Sequence, residues 1–376
     1  MKKTHIVCSA KSWLDGEAVR QLESTAQLPG MTRVVGMPDL HPGKGTPIGA
    51  CFISEGVVYP HLVGNDIGCG IGLWQTSLSG RKSKRDKLVK RLRGLEGPWA
   101  GDGAARLDAA GVAKTAFDDA LGTIGGGNHF AELQRVERVE DPDRAHQLGL
   151  DADALYLTVH SGSRGLGEDI LDDHRRTHGA DGLPHPSPQA GTYLGRHDHA
   201  MAWAAVNRGI IAERVLDAVR GEATPILDLF HNAVTPCARD GKTVWLHRKG
   251  AAPADAGPVL IPGSRGSWSY LVDPLRPDWE SGYSLAHGAG RKWGRSQAKG
   301  KLAGRYSPQQ LERTALGSAV ICEDRNLLYQ EAPQAYKNVE VVMADMVDAG
   351  LARVIAVFRP VVTYKMRRRR DRGEAT

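Results

Sequence analysis

The sequence predicts an α+β fold in which mixed β-sheets are flanked by helices. Short apolar segments that run into polar clusters alternate with segments whose apolar residues recur every three or four positions. Apolar residues make up 41% of the 376 residues, which is enough for a sizeable core. Because no Pro/Ser-rich linker divides the chain, we expect a single domain over residues 1–376.

Seven apolar segments favour β-strands by their length and composition. They span residues 57–63, 72–78, 154–159, 225–230, 242–246, 258–261 and 353–364. The last five each run into polar residues such as histidine, serine or lysine. Because sites in mixed folds often assemble where strands end, these polar clusters are the first candidates for function.

Residues 201–219 and 339–352 carry apolar positions at helical spacing, and both segments predict helices. Residues 172–198 are polar and rich in Pro, Gly and His, and they predict a surface loop able to close over a site. Residues 366–376 are expected to form a basic tail. Solvated loop histidines are common, so five histidines of this region are left out of the candidate site: His174, His178, His185, His197 and His199.

The chain is basic, with a formal net charge of +6 and a pI near 9.0. This balance fits a polyanionic partner such as nucleic acid without requiring one. Two basic runs stand out, residues 81–93 and residues 367–370. The first favours a solvated helix face over a binding site. For the second, a frayed tail and a binding site are equally good interpretations.

The cysteines indicate a reducing compartment, because the five are far apart and none belongs to a C-x-x-C pair. They are Cys8, Cys51, Cys69, Cys237 and Cys322. No apolar run approaches the ~18 residues that a transmembrane helix needs. We therefore expect a cytoplasmic protein without a membrane partner.

The segment GNDIGCGIG at residues 64–72 gives the strongest single indication of chemistry. Asp66 and Cys69 stand three residues apart among four glycines, which pack the turn while the carboxylate and the thiol point at a common target. A carboxylate and a thiolate that converge are explained by a metal ion. The alternative is a buried cysteine that acts as a small apolar residue beside an Asp-containing turn.

Four histidines lie in turns flanked by glycine or asparagine: His129, His160, His231 and His287. Each alone fits a core or capping histidine, but four in similar contexts favour a metal site. Together with the Asp66 carboxylate and the Cys69 thiolate, these donors suit Mn²⁺, Fe²⁺, Co²⁺ or Zn²⁺ better than Ca²⁺ or Mg²⁺ alone. Two ions that share the thiolate would use all the donors, and two-ion sites are usual for in-line phosphoryl transfer.

Nine motifs along the chain occur in the order seen in the RtcB family of RNA ligases, which the sequence resembles from residue 36 to residue 365. They are DLHPGKGTPIGA (39–50), NDIGCGIG (65–72), GGGNHFAE (125–132), HSGSRGLG (160–167), HN (231–232), HRKGA (247–251), PGSRG (262–266), HGAGR (287–291) and YK (364–365). The resemblance implies an RtcB-like fold with a central dimetal cleft. It also implies GTP- and Mn²⁺-dependent joining of an RNA 3′-phosphate or 2′,3′-cyclic phosphate to a 5′-hydroxyl, in RNA repair or tRNA processing.

The resemblance also implies roles for particular residues. The ligands of two Mn²⁺ ions would be Asp66, Cys69, His129, His160 and His231, with Cys69 bridging the ions. His287 would take GMP covalently from GTP, releasing pyrophosphate, and would pass it to the RNA 3′-phosphate, from which the 5′-hydroxyl displaces it. The guanine nucleotide would be bound by Asn128, Glu132, Ser264, Gly288, Arg291 and Lys365.

Typical members of the family are longer, so the chain resembles a compact subclass whose naming links it to a release factor homologue. That link implies a release-factor-like protein or another activating partner. Two alternatives stay open. A metal-dependent RNA phosphatase or cyclic phosphodiesterase would use the same ions but would need neither His287 nor the GTP contacts. An RNA-binding translation accessory protein would fit the basic charge, but it would not need the metal donors.

Overall fold

The computed structural model describes residues 3–367, and these form strands, α-helices and short 3₁₀ helices. The strands are β1 (Thr4–Ile6), β2 (Met31–His41), β3 (Ile48–Glu55), β4 (Val57–Val58), β5 (Gly70–Ser79), β6 (Phe130–Val139), β7 (Ala154–Ser161), β8 (Leu183–Pro184), β9 (Ala223–Phe230), β10 (Asn232–Arg239), β11 (Lys242–Lys249), β12 (Ala251–Pro253), β13 (Val259–Pro262), β14 (Ser269–Pro274), β15 (Ser284–Ala286), β16 (Ala319–Cys322) and β17 (Ala352–Met366).

The α-helices are α1 (Gly16–Thr25), α2 (Arg85–Arg91), α3 (Gly103–Ala109), α4 (Pro142–Gln147), α5 (Gly165–His178), α6 (Pro188–Val219), α7 (Arg295–Leu302), α8 (Pro308–Leu311), α9 (Arg325–Gln330) and α10 (Val339–Asp348). Three 3₁₀ helices span Pro60–Leu62, Asp118–Ala120 and Pro333–Ala335. Among residues 3–367, no helix combines the length and the apolar character needed to cross a bilayer.

The central sheet has eight strands. Seven of them run in the antiparallel order β13-β14-β17-β6-β7-β5-β9, and β16 joins β17 in parallel. The helix α6 covers this sheet with an apolar stripe in which Ile211, Val215 and Val219 follow one another at four-residue spacing. That stripe packs with Leu157 and Val159 of β7.

A second sheet contains five strands in the order β1-β2-β3-β11-β10, with β1 and β2 parallel and the other pairs antiparallel. Its residues Val35 and Met37 share a core cluster with Ile261 and Val272 of the central sheet and with Met346 of α10. The two sheets therefore pack into one apolar core. The architecture confirms the predicted α+β class with helices flanking the sheets.

Most of the predicted strands and helices form, but the segment 57–63 does not form the expected strand. Only β4 pairs there, and the 3₁₀ helix Pro60–Leu62 follows it. Proline at position 60 has no N–H to give to a strand ladder, which explains the early end of the strand. The helix predicted over residues 339–352 forms as α10 but ends earlier, at Asp348. Gly350, with a positive φ of 66°, follows shortly after this end.

The prediction of a surface loop over residues 172–198 was wrong. Helix α5 continues to His178 and α6 begins at Pro188, so only residues 179–187 connect them, and these include β8. The polar composition concealed buried helical positions such as Tyr193 and His197, which lie four residues apart on α6. The predicted basic tail begins within β17, which ends at Met366, and residues 368–376 lie outside the described residues.

Candidate active site

The antiparallel register of the central sheet brings residues that are distant in the sequence to one edge. Cys69 immediately precedes β5, His129 immediately precedes β6, and His231 immediately follows β9. His160 lies on β7, one residue from its end, opposite the starts of β5 and β6. Because starts and ends of antiparallel neighbours coincide, these four side chains meet.

The side chains form a chain of close contacts. The Sγ of Cys69 lies 3.3 Å from His129 Nε2 and 3.2 Å from His160 Nε2. His231 Nε2 lies 3.2 Å from His160 Nε2, and Asp66 Oδ2 lies 2.8 Å from His129 Nε2. The cysteine and the histidines are buried, whereas the carboxylate is partly exposed at the mouth of the site.

These five side chains divide into two groups of possible metal ligands that share one thiol. One group contains Cys69, His160 and His231, and the other contains Asp66, Cys69 and His129. Within each group the donor atoms lie within 4.8 Å of one another. Sulfur and imidazole donors suit a transition metal, and three protein ligands leave room for a substrate oxygen on each ion. The donor set therefore fits two divalent ions with Cys69 in both groups.

Burial favours the ligand forms of the imidazoles. Desolvation lowers the pKa of His160 and of His231 well below the usual 6.5, and the neighbouring histidines lower it further. Neutral imidazole is the form that binds a metal. Burial also raises the pKa of the Cys69 thiol well above 9.0, with the adjacent Asp66 charge acting in the same direction. A bound cation would offset this shift and favour the thiolate.

Helix α6 fixes the loops that carry these donors. Its Arg208 is fully buried and donates to the carbonyl oxygens of Gly68 at 2.8 Å and Ser161 at 2.9 Å. The same guanidinium pairs with Asp228 at 2.5 Å. Gly68 directly precedes Cys69, and Ser161 directly follows His160. One buried cation therefore connects the cysteine loop to the end of β7.

A second pair of polar side chains lies beside this cluster. The Nδ1 of His287 lies 2.6 Å from Asp39 Oδ2, and the His287 backbone N–H donates to the same oxygen at 3.2 Å. With Nδ1–H donating to the carboxylate, the Nε2 lone pair remains free as a nucleophile. Gly250 permits this packing, because a Cβ there would lie 2.8 Å from His287 Cε1. The ring centroids of His231 and His287 are 4.9 Å apart.

One cleft of about 1170 Å³ joins the two clusters. All the site residues proposed from the sequence line it: Asp66, Cys69, Asn128, His129, Glu132, His160, His231, Ser264, His287, Gly288, Arg291 and Lys365. The proposed metal ligands and the proposed nucleotide contacts thus face a common space. The five histidines excluded from the site, which lie between residues 174 and 199, do not line this cleft.

Two buried ionisable side chains, Glu132 and Lys365, lie in the part of the cleft that the resemblance assigns to the nucleotide. Burial raises the pKa of Glu132 to about 7, against hydrogen bonds from Thr363 and Gln134 that lower it. Burial lowers the pKa of Lys365 to about 8, and its Nζ donates to the carbonyl oxygen of His129 at 2.9 Å. The pKa values of both groups therefore lie near neutral pH, and a hydrogen-bond acceptor and a donor lie in the same wall of the cleft.

From the sequence, Arg291 is expected to offer its N–H donors to phosphate oxygens. In the structure these donors bind protein acceptors instead. Its Nη1 donates to Glu331 at 3.1 Å, its Nη2 donates to the carbonyl oxygen of Gln330 at 2.7 Å, and its Nε donates to the carbonyl oxygen of Trp293 at 3.0 Å. Although burial favours a higher value, the charges of Lys365 and Arg291 lower the pKa of Glu331 to about 2. Arg291 thus stabilises the wall of the cleft through a buried carboxylate.

Sequence reasoning missed several residues of the cleft and its support. Asp39 lies in the quoted motif DLHPG, but nothing local links it to His287, which is 248 positions away. Arg164, in the motif HSGSRG, also lines the cleft, and its φ of 58° is unusual for a residue with a side chain. Glu331 and Arg208 lie outside every quoted motif.

Comparisons with known proteins identify the family of the chain. The family model described as tRNA-splicing ligase RtcB matches residues 21–96 and 100–366. The chain is 49% identical to the RNA-splicing ligase RtcB2 of Escherichia coli over 359 residues, covering 96% of this chain and 94% of the relative. It is 32% identical to the tRNA-splicing ligase RtcB of Archaeoglobus fulgidus, covering 94% of this chain and 92% of the relative. It is 31% identical to the RNA-splicing ligase RtcB of Mycobacterium bovis, covering 92% of this chain and 100% of the relative. The chain therefore belongs to the RtcB family.

Proposed function

We propose that this protein is an RNA ligase that uses GTP and Mn²⁺ to join an RNA 3′-phosphate or 2′,3′-cyclic phosphate to a 5′-hydroxyl. The observation that carries the proposal is the proximity of two potential metal-binding groups to the Asp39–His287 pair in one cleft. The relatives named as RNA-splicing and tRNA-splicing ligases support the same activity.

The proposed reaction begins at His287. Its Nε2 attacks the α-phosphorus of GTP, forming a P–N bond, and pyrophosphate leaves. Asp39 holds the ring in the required tautomer and stabilises the positive charge that develops on it. The RNA 3′-phosphate then attacks the histidine-bound GMP, freeing His287. In the last step the 5′-hydroxyl attacks the activated 3′-phosphate, a phosphodiester forms, and GMP leaves.

The metal ligands would be Asp66, Cys69, His129, His160 and His231. Bound Mn²⁺ would supply positive charge beside the reacting phosphates. Substrate with a 2′,3′-cyclic phosphate must first be hydrolysed to the 3′-phosphate.

Glu132 and Lys365 would select guanine over adenine. Guanine presents an acceptor at O6 and donors at its N1 and N2 positions, whereas adenine presents a donor at N6. A lysine ammonium and a carboxylate or carboxyl oxygen in one wall match the guanine pattern. Gly288 would lie beside the phosphates at His287, and Arg291 would contribute to that part of the cleft by holding its wall through Glu331. A release-factor-like or other activating partner rests on the resemblance alone and stays a prediction.

A ligation assay with defined RNA ends tests the proposal. Two oligonucleotides are incubated with the protein, GTP and Mn²⁺, with the donor ending in a 2′,3′-cyclic phosphate, a 3′-phosphate or a 3′-hydroxyl. We expect joined product from the first two donors, only with a 5′-hydroxyl acceptor, and none after replacement of GTP by ATP. Release of phosphate or opening of the cyclic phosphate without any joined product would instead support the phosphatase or phosphodiesterase alternative.

A further inference from the structure

Residues 81–93 carry an unusual concentration of positive charge. Eight basic side chains and one acidic side chain give the segment a net charge of +7, more than the +6 of the whole chain. Within it, α2 buries Leu88, and Leu92 at its end joins the same core cluster. Lys87, Lys90 and Arg91 are exposed, and Lys90 lies on the side of the helix opposite these leucines.

Most of this charge is not neutralised by acidic side chains of residues 3–367. Among the described residues, ion pairs of the segment involve Arg81 with Asp153 and Arg85 with Asp86. No described acidic side chain forms an ion pair with Lys82, Lys84, Lys87 or Lys90. Like charges in such density repel one another, so the segment is stabilised when a polyanion approaches.

The strand β17 connects this segment to the cleft. Lys365 lines the cleft, and two residues further on Arg367 donates to the carbonyl oxygens of Val89 at 3.4 Å and Leu92 at 2.8 Å. Two residues of extended chain span about 7 Å. The end of α2 therefore lies next to the strand that forms one wall of the cleft. The sequence continues with three arginines at 368–370, outside the described residues.

We propose that an α2 surface, formed by Lys82, Lys84, Lys87, Lys90, Arg91 and Arg93, binds the sugar-phosphate backbone of the RNA whose end occupies the cleft. This inference rests on the proposed function, because it takes RNA as the substrate. Lysines contact phosphates as point charges, and such contacts carry no sequence information. Residues 81–93 contain no aromatic side chain on which a base could stack, so binding is independent of RNA sequence.

The test compares two triple variants of the full chain with the same change in charge. K84Q/K87Q/K90Q removes charge from the α2 surface, and glutamine keeps the helix propensity of lysine. K3Q/K11Q/K114Q removes three exposed lysines elsewhere. Binding of a fluorescent single-stranded RNA of about 20 nucleotides is measured by anisotropy at several salt concentrations. We expect the α2 variant to bind RNA at least about tenfold more weakly. The slope of the logarithm of the binding constant against the logarithm of salt concentration should become less negative by about 2.

Unchanged affinity and salt slope in the α2 variant, or an equal loss in the control variant, would overturn the inference. Loss of binding to anionic lipid vesicles with RNA binding retained would also overturn it. The measurement needs no catalysis, so it separates the two proposals. An α2 variant that loses RNA affinity supports the surface even where no ligation is detected, and normal GMP transfer to His287 in that variant shows that the cleft is intact.

Discussion

At the residue scale, Asp39 decides what His287 can do. The carboxylate is fully buried and engages both the ring Nδ1 and the backbone N–H of His287. Lys337 supports the strand on either side of it by donating to the carbonyl oxygens of Pro38 at 3.0 Å and Leu40 at 2.6 Å. A rigid acceptor on Nδ1 leaves the lone pair free on Nε2, the atom that we propose attacks GTP.

Replacement of Asp39 by asparagine tests this role. The asparagine side chain keeps the size of the original but loses the negative charge, so the histidine tautomer is no longer fixed and the developing cation is not stabilised. We expect the rate of GMP transfer to His287 to fall by about 100-fold or more. The melting temperature serves as the control, and a normal transfer rate in a folded D39N variant would refute the role.

The presence of the Cys69 thiol in both groups of possible metal ligands leads to a second prediction. Because Cys69 belongs to both donor groups and His231 to only one, C69S should weaken Mn²⁺ binding at two sites and His231→Ala at one. Loss of a ligand should cost at least about 100-fold in affinity. Titration calorimetry or Mn²⁺ EPR counts the ions bound. C51S, at a buried cysteine outside the cleft, should behave like the original chain, and two intact sites in C69S would exclude a bridging thiol.

At the element scale, helix α6 supports the loops that carry the candidate metal donors. Arg208 is buried and bonded to two loop carbonyls and to Asp228, whereas Arg196 on the same helix forms ion pairs at the surface. Arg208→Leu should lower the free energy of unfolding by about 3 kcal/mol. Arg196→Leu should lower it by less than about 1 kcal/mol. Urea unfolding measures both, and equal effects would show that Arg208 is not a structural link.

Strand β11 carries a histidine that should make stability depend on pH. The Nε2 of His247 accepts from the Tyr59 N–H at 2.9 Å, and its Nδ1 donates to the carbonyl oxygen of Phe52 at 3.1 Å. Burial lowers the pKa of His247 to about 3, against the hydrogen bond to Phe52, which raises it. The unfolded chain, with a pKa near 6.5, therefore binds a proton that the folded chain excludes. Stability from this group is complete above pH 6.5 and falls as the pH drops toward 3.

The variant His247→Gln cannot take up this proton. Its free energy of unfolding should depend less steeply on pH between 6.5 and 5, by up to about 1.4 kcal/mol per pH unit. Chemical unfolding at several pH values provides the slopes. His146→Gln, at an exposed position, should retain the original slope, and an unaltered slope in His247→Gln would contradict the assignment.

At the scale of the whole molecule, the sequence identifies residues that the folded chain brings into one cleft, but it misses part of the architecture around them. Asp66, Cys69 and the histidines could be found because each lies in a short motif with distinctive neighbours. Asp39 and Arg208 could not, because their roles depend on contacts 248 and 140 positions away, which only the folded chain creates. The helices of residues 172–198 were hidden because their buried faces contain polar and small residues such as His174, Ala190 and His197.

The chain is shorter than some of its relatives and still contains the candidate site. The alignment with the Mycobacterium bovis relative has 433 positions, more than the 376 residues of this chain, so the relative contains segments that this chain lacks. The candidate metal donors, the Asp39–His287 pair and the cleft are nevertheless all present here.

The most direct test of the account is covalent labelling of the protein with GTP. The purified chain is incubated with Mn²⁺ and GTP labelled at the α-phosphate, with labelled ATP and the variants His287→Ala and His174→Ala alongside. The account predicts a labelled protein band that requires GTP, Mn²⁺ and His287, that persists in His174→Ala, and that disappears after addition of RNA with a 3′-phosphate. Absence of a band with GTP across a range of divalent metals, or a band that persists in His287→Ala, would contradict it.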